Sequence, residues 1–388
     1  DAYNVAIGSS AGVAMTTGVK NTIVGAIAGD ALTTGWNNTA FGYAALSSED
    51  AGSNNTAIGF EALTVQDAGA DAYNVAVGHQ AGRAVTTGAQ NTILGGLAGD
   101  ALTTGNYNVA IGYQALSTED AHGANVAIGA NALLTLDAGA DGFNIAIGHD
   151  AGKSMTTGIN NTIMGGLAGD AITSGSDNLV LGYNAGRAMT SAQQNTAIGV
   201  NAADAITTGT ANVALGYNAL TASIDGDFNT ALGYKALEDY EDGDGNGHNT
   251  AVGAKSQLNA STGEYNTSLG SLSMGSGVTT GDQNVAIGYA TGVSIAAGAF
   301  NVLVGNSAGT AITTGTENVA IGHQALSTEN AHGKNVAVGH TALLTLDAGA
   351  DAFNVAVGNS AGKLMTTGVE NVLIGGLAGD ALTTGSYN

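Results

Sequence analysis

The chain has 388 residues, of which 62 are glycine, and it contains neither proline nor cysteine. Its 31 acidic and 8 basic residues give a formal net charge of −23, which disfavours binding to nucleic acid or to anionic lipid surfaces. The absence of cysteine excludes disulfide bonds and thiolate metal ligands. Hydrophobic residues make up 44% of the chain, enough to expect a folded protein, and no apolar run reaches the roughly 18 residues of a membrane span.

The main feature of the sequence is a short repeat that begins at Asn4 and continues to Asn371. Glycine lies four residues after the asparagine in 22 successive repeats, Asn388 begins a further copy, and 17 of the 22 spacings between these 23 asparagines are 17 residues. A unit this short buries its apolar face only by stacking on its neighbours, so the chain is predicted to be a solenoid. Asn4, Asn74 and Asn144 are 70 residues apart, so four repeats form a super-repeat.

Each repeat is numbered here from its asparagine, which is position 0. Positions +1 and +3 are β-branched or large and apolar, position +2 is mostly alanine, and glycine at +4 ends the segment. Alternation of this kind predicts a strand with two apolar faces, both covered. A second apolar stretch, such as Ala31-Leu32, predicts a return strand. The frequent Thr-Thr-Gly, as at Thr16–Gly18, predicts a turn with glycine in the left-handed conformation.

These features predict an all-β, parallel β-solenoid of about 22 rungs, in the form of a left-handed β-roll. We expect residues 1–388 to form one continuous segment, a piece of a longer fibre protein, with a length on the order of 100 Å at about 4.8 Å per rung. A helical repeat is disfavoured because glycine and β-branched residues are weak helix formers.

Two kinds of contact are expected to hold the rungs in register. The position 0 asparagines are predicted to stack their amides in a ladder; representative members are Asn4, Asn21, Asn38, Asn74, Asn91 and Asn108. Opposite charges at position +9 of successive repeats predict four ion pairs between rungs: Arg83 with Asp100, Lys153 with Asp170, Arg187 with Asp204, and Lys363 with Asp380.

The sequence offers few candidates for chemistry. Acidic pairs such as Glu49-Asp50 and Glu119-Asp120 are interpreted as solvated turns, so no catalytic residue is assigned and the chain is not expected to be an enzyme. Histidines such as His79 and His323 follow the +4 glycine, where other repeats carry tyrosine, and predict a stacked aromatic edge instead of a zinc site. The one metal candidate is Asp242, Asp244 and Asn246, which resembles the start of an EF-hand calcium loop. It lacks the final glutamate, so calcium is the one possible cofactor and an acidic insertion loop is the alternative.

The segment Asn-Val-Ala-Ile-Gly, as at Asn4–Gly8 and Asn108–Gly112, resembles the β-roll repeats of trimeric autotransporter adhesin heads. The variant Asn-Thr-Ala-Ile-Gly at Asn195–Gly199 is similar to repeats of phage tail fibres and large bacterial surface proteins. The resemblance implies a homotrimer on a cell surface or virion, and an apolar alanine-rich face favours association of copies through that face.

The functional expectation is therefore a structural and adhesive segment of an extracellular appendage or virion fibre. The receptor, the host and the number of chains stay open. Two alternatives also remain, an ice-binding β-solenoid and a β-helix that binds or degrades polysaccharide.

Overall fold

The structure is a computed structural model that describes residues 2–241 and 247–388. The chain forms two compact units, residues 1–194 and 195–388, and each is described by itself. In both units three-residue strands stack in parallel, one strand per repeat. The prediction of an all-β, parallel β-solenoid is confirmed.

The first unit contains β1 to β11. Their bounds are Val5–Ile7, Thr22–Val24, Thr39–Phe41, Thr56–Ile58, Val75–Val77, Thr92–Leu94, Val109–Ile111, Val126–Ile128, Ile145–Ile147, Thr162–Met164 and Leu179–Leu181. Each strand pairs in parallel with the next, and the register joins equivalent repeat positions, as with Val5 and Thr22. The two extra residues before β5 and before β9 leave this register unchanged.

The second unit contains β12 to β22. Their bounds are Thr196–Ile198, Val213–Leu215, Thr230–Leu232, Thr250–Val252, Thr267–Leu269, Val285–Ile287, Val302–Val304, Val319–Ile321, Val336–Val338, Val355–Val357 and Val372–Ile374. The pairing follows the same rule, including between β14 and β15, where Thr230 pairs with Thr250 across the longest repeat.

The predicted return strand is wrong. Within the described residues, positions +10 and +11, where the return strand was expected, lie in turns and irregular structure, as at Ala31-Leu32, and the residues at +6 and +8 that lead into them adopt positive φ. Ala44 and Leu46 have φ of 51° and 55°, which is incompatible with an extended strand. These turns still bond to the next rung, as Leu46 N–H donates to Ala62 O at 3.0 Å.

The predicted assignment of the two strand faces also requires correction. The alanine face lies inside the roll, where Ala40, Ala57 and Ala76 are buried, whereas the larger residues at +1 and +3 point outward. A roll closed by so few residues has a thin interior, so the small side chain faces inward. The alanine face is therefore covered by the roll's own turns.

The core keeps its volume by a trade between two positions. Eight of the 15 repeats with alanine at +2 carry leucine at +8, as in Ala127 with Leu133, and five carry glycine there, as in Ala76 with Gly82. Repeats with isoleucine at +2 carry glycine at +8, as in Ile93 with Gly99, where an added Cβ would lie 2.8 Å from Leu102 Cδ1 and 3.5 Å from Ile93 Cδ1. A rung thus holds at most one large side chain at these two positions of the core.

Two positions of the repeat require glycine for different reasons. Gly42, at position +4, has φ of 143°, and a Cβ there would collide with the carbonyl oxygen of Gly59 in the next rung. The Thr-Thr-Gly glycine was expected to be left-handed, but Gly18 does not adopt positive φ. It is needed because a Cβ would approach Gly35 O to 2.5 Å. The left-handed corner is instead the residue before each asparagine, such as Lys20 with φ of 60°.

Candidate functional site

The position 0 asparagines form a buried ladder inside each unit. Asn91 N–H donates to Asn74 Oδ1 at 2.9 Å, which joins one rung to the next. Asn91 Nδ2 donates to Gly105 O at 2.9 Å, which closes its own rung. The same pair of bonds recurs at Asn21 and Asn38. The ladder therefore runs through side chain and backbone alternately, and its role is structural.

The ladder changes where a repeat is longer. The carbonyl that would close the rung of Asn55 belongs to the insertion at 67–71, and the buried Nδ2 atom of Asn55 has no hydrogen-bond partner among the described residues. Its Oδ1 still accepts from Asn74 N at 3.1 Å. At Asn125, in the equivalent repeat, Nδ2 turns instead to Gly123 O at 3.2 Å.

The predicted ion pairs are brought together only at the backbone. Ser154 N–H donates to Asp170 O at 3.0 Å, so the register is as expected. Among the described residues, however, Arg83 with Asp100, Lys153 with Asp170, and Lys363 with Asp380 form no ion-pair contact. Lys153 Nζ contacts Asp150 Oδ2 of its own turn at 3.4 Å instead. Arg187 and Asp204 belong to different units, so that pair stays a prediction.

Partial burial is the main influence on the pKa of two of these aspartates, Asp100 and Asp170. Burial raises the pKa of Asp100, and the positive charge of Arg83 offsets only part of this effect. For Asp170 burial also raises the pKa, opposed by Arg187 and Lys153. The cations therefore act on these carboxylates at longer range than in the contact pair that the spacing predicted.

Three buried glutamates were missed by the sequence interpretation. Glu49 and Glu119 were expected in solvated turns, but both are fully buried, as is Glu329. Glu119 accepts from His122 N at 3.1 Å and from Ala138 N at 3.4 Å. They occupy position +11, where most other repeats place leucine, methionine or isoleucine, and that was the signal available in the sequence.

These glutamates fasten the insertion loops. Ligand atoms of Glu119, Asp120, His122 and Asp137 lie within 4.8 Å of one another, yet both carboxylate oxygens of Glu119 are engaged by backbone N–H groups. Burial raises the pKa of Glu119 and of Glu329, and nearby backbone N–H groups oppose that shift. The arrangement is that of a loop anchor.

The calcium candidate lies outside the described residues. Asp242, Asp244 and Asn246 fall in the segment 242–246, which the structure does not describe. Calcium binding there stays a prediction.

The outward face of the stacked strands is uncharged and largely apolar, with threonine at position +1 of nine repeats. We call this surface, made of positions +1 and +3, the outer strand face. Every +1 residue is Val, Thr, Ile or Leu, and every +3 residue is a large apolar residue. Phe41 is 54% exposed and Leu269 47%. Contiguous exposed apolar surface of this kind marks an interaction site more often than ordinary solvent-facing surface.

Aromatic rings border this face at position +5. Phe60 stacks on Tyr43 at 5.3 Å and on His79 at 5.2 Å between ring centroids. His323 stacks on His340 at 5.1 Å. The structure thus forms the stacked edge predicted from the exchange of histidine and tyrosine.

No family is identified by comparison with known proteins. The chain matches no protein-family model, and no curated protein matches it. In the part of the chain that the structure describes, there is no helix long and apolar enough to cross a membrane.

Proposed function

We propose that this chain is a structural segment of a fibre whose copies associate side by side through the outer strand face. The observation that carries the proposal is the uncharged apolar surface at positions +1 and +3. Burial of such a surface is favourable by roughly 25 cal/mol per Å² of apolar area. A homo-oligomer, with three copies favoured, covers it without exposing charge.

The charge distribution supports a second copy as the partner. The chain carries a net charge of −23, so two copies repel each other wherever their turns meet. Columns +1 and +3 carry no charged residue, so two copies can approach through them without opposing carboxylates. The interface proposed from sequence used the alanine face, and this proposal moves it to the opposite face.

An adhesive fibre on a cell surface or virion is the setting that fits such an assembly. Ladders of buried asparagine and a continuous parallel strand register suit a protein that holds its shape and presents its turns outward. The proposal assigns no catalytic residue to the chain.

The ice-binding alternative gains no support from the threonine rows. The hydroxyl group of the first threonine of Thr-Thr-Gly donates a hydrogen bond to the next rung, as Thr86 Oγ1 does to Thr103 O at 3.1 Å. Thr33 and Thr156 do the same with Asp50 O and Thr173 O.

The test is the mass of the assembly in solution, measured by light scattering. Wild-type protein is expected at a multiple of the 37.7 kDa chain mass. Ile111→Lys with Ile128→Lys places two like charges on adjacent rungs of the outer strand face and is expected to yield single chains. Thr87→Lys with Thr157→Lys adds the same charge at exposed turn positions and is expected to leave the mass unchanged. A wild-type mass of one chain at every concentration would reject the proposal.

A further inference from the structure

A second surface of the first unit is formed by the left-handed residues that precede the ladder asparagines. We call eight of these, on consecutive rungs, the corner column: Asn37, Asn54, Tyr73, Gln90, Tyr107, Ala124, Phe143 and Asn160. All have φ between 48° and 64°, so they take the same backbone conformation at the same corner. None of the eight is charged, although Lys20 and Asp177 occupy the same corner on the flanking rungs and the Tyr73 hydroxyl donates to Asp71 Oδ2 at 3.4 Å. The column consists of amides and aromatic rings, with one alanine.

The aromatic members of the corner column occupy alternate rungs. Tyr73, Tyr107 and Phe143 are 53%, 63% and 60% exposed, and among the described residues no ring stacks on any of them. The corner of the second unit differs, since Phe228, His248 and Tyr265 follow on successive rungs and stack at 4.9 and 5.1 Å. Stacking there covers the ring faces, whereas in the corner column the rungs between the rings carry Gln90 and Ala124, so no second ring of the described residues covers them.

We infer that the corner column binds an extended, neutral β-1,4-linked polysaccharide that lies along the stack of rungs. Rings two rungs apart are separated by about 10 Å, because parallel strands are about 4.8 Å apart. In an extended β-1,4-linked glycan every second sugar ring presents the same face, at a similar repeat. Tyr73, Tyr107 and Phe143 would each receive the apolar face of one such ring.

Polar groups between the rings suit the sugar hydroxyls. Gln90 lies on the rung between Tyr73 and Tyr107, is exposed, and its side-chain amide makes no hydrogen bond to the described residues. Amides donate and accept, as recognition of hydroxyl groups requires. Charge selects the class of glycan, because a chain of net charge −23 repels polyanionic polysaccharides. A neutral glycan escapes that repulsion.

The experiment measures binding of the full chain to cellulose and chitin powders, and to their soluble hexasaccharides by calorimetry. Alanine is tolerated at this corner, since Ala124 and Ala211 adopt φ of 59° and 56° there. We therefore expect Tyr73→Ala with Tyr107→Ala and Phe143→Ala to stay folded by circular dichroism. The affinity of this triple variant for the hexasaccharides should fall at least about tenfold, given the usual contribution of aromatic contacts. Tyr107→Ala alone should give a smaller loss.

The matched control is Tyr113→Ala with Tyr183→Ala. Both tyrosines are exposed, and no ring of the described residues stacks on them. They lie at position +5, beyond the other end of the strand from the corner column. Affinity should be unchanged, and the mass of each variant is measured so that a change in assembly is recognised. Binding of the wild type to neither polysaccharide overturns the inference. Equal binding by the triple variant, or an equal loss in the control, does so as well.

Discussion

At the scale of single residues, Asn91 shows how one side chain fixes two rungs. Its Nδ2 donates to Gly105 O at 2.9 Å, and its Oδ1 accepts from Asn108 N at 2.9 Å. The residue is almost fully buried, so neither bond can be replaced by water. A side chain with one donor and one acceptor at this reach is required, and glutamine is longer while aspartate lacks the donor.

The first prediction compares the same substitution at two rungs. Asn91→Asp places a carboxylate oxygen against Gly105 O and is expected to lower the free energy of unfolding by about 3 kcal/mol, the cost of an unsatisfied buried charged group. Asn55→Asp is expected to cost about half as much, because Asn55 Nδ2 has no partner to lose. Chemical denaturation of the two variants measures the difference. An equal loss would mean that charge burial alone, and not the rung-closing bond, sets the cost.

The role of the asparagines could be predicted from the sequence, whereas the contacts of the charged residues could not. A residue that recurs at one position of a stacked repeat must meet its own copies, so the ladder follows from the period. Ion pairs depend on side-chain direction as well, and Lys153 reaches Asp150 more easily than Asp170. The charge of Glu119 alone predicts a surface residue. Its repeat position predicts burial, because +11 is a core position in neighbouring repeats.

At the scale of the element, a rung is a strand and a set of turns around a narrow core. Ala127, Leu133 and Leu136 fill one rung, and Ile93 with Leu102 fills another in which Gly99 replaces the leucine. Both solutions give a closed rung that stacks on its neighbours. The isoleucine and the leucine are therefore alternative occupants of the same space.

The second prediction is a double-mutant cycle on this exchange. Ile93→Ala is expected to lower the free energy of unfolding by about 2 to 4 kcal/mol through the cavity it leaves. Gly99→Leu alone overpacks the rung, at a cost of about 1 to 3 kcal/mol. The double variant recreates the residues of the rung of Ala127 and should recover most of the loss, since Leu133 accepts φ of 49° at the same position. Additive losses, measured by denaturant unfolding, would contradict the exchange.

Strand positions could be predicted from the sequence, but their faces could not. Both odd and even positions are apolar, so alternation does not say which side is inside. The choice depends on how wide the closed roll is, and that width is set by the turns. The turns use left-handed residues such as Ala44 and Leu46, which carry no glycine or asparagine signal. The return strand was predicted wrongly because apolar residues such as Leu32 enter the core from irregular segments that follow these turns.

At the scale of the whole molecule, two properties oppose each other. The net charge of −23 favours separate, soluble chains. The outer strand face, uncharged and lined by residues such as Phe41, Met164 and Leu269, favours association. Which one prevails depends on how far the charges act through the solvent.

The third prediction follows from the range of that repulsion. The screening length falls from about 30 Å at 0.01 M salt to about 8 Å at 0.15 M, whereas apolar burial is not weakened by added salt. Self-association of the wild type, measured by sedimentation velocity, is therefore expected to strengthen as salt is raised across this range. Ile111→Lys with Ile128→Lys should remain single chains at both concentrations. Assemblies that dissociate on addition of salt would show that ion pairs hold the copies together, which is the opposite of an interface built on the outer strand face.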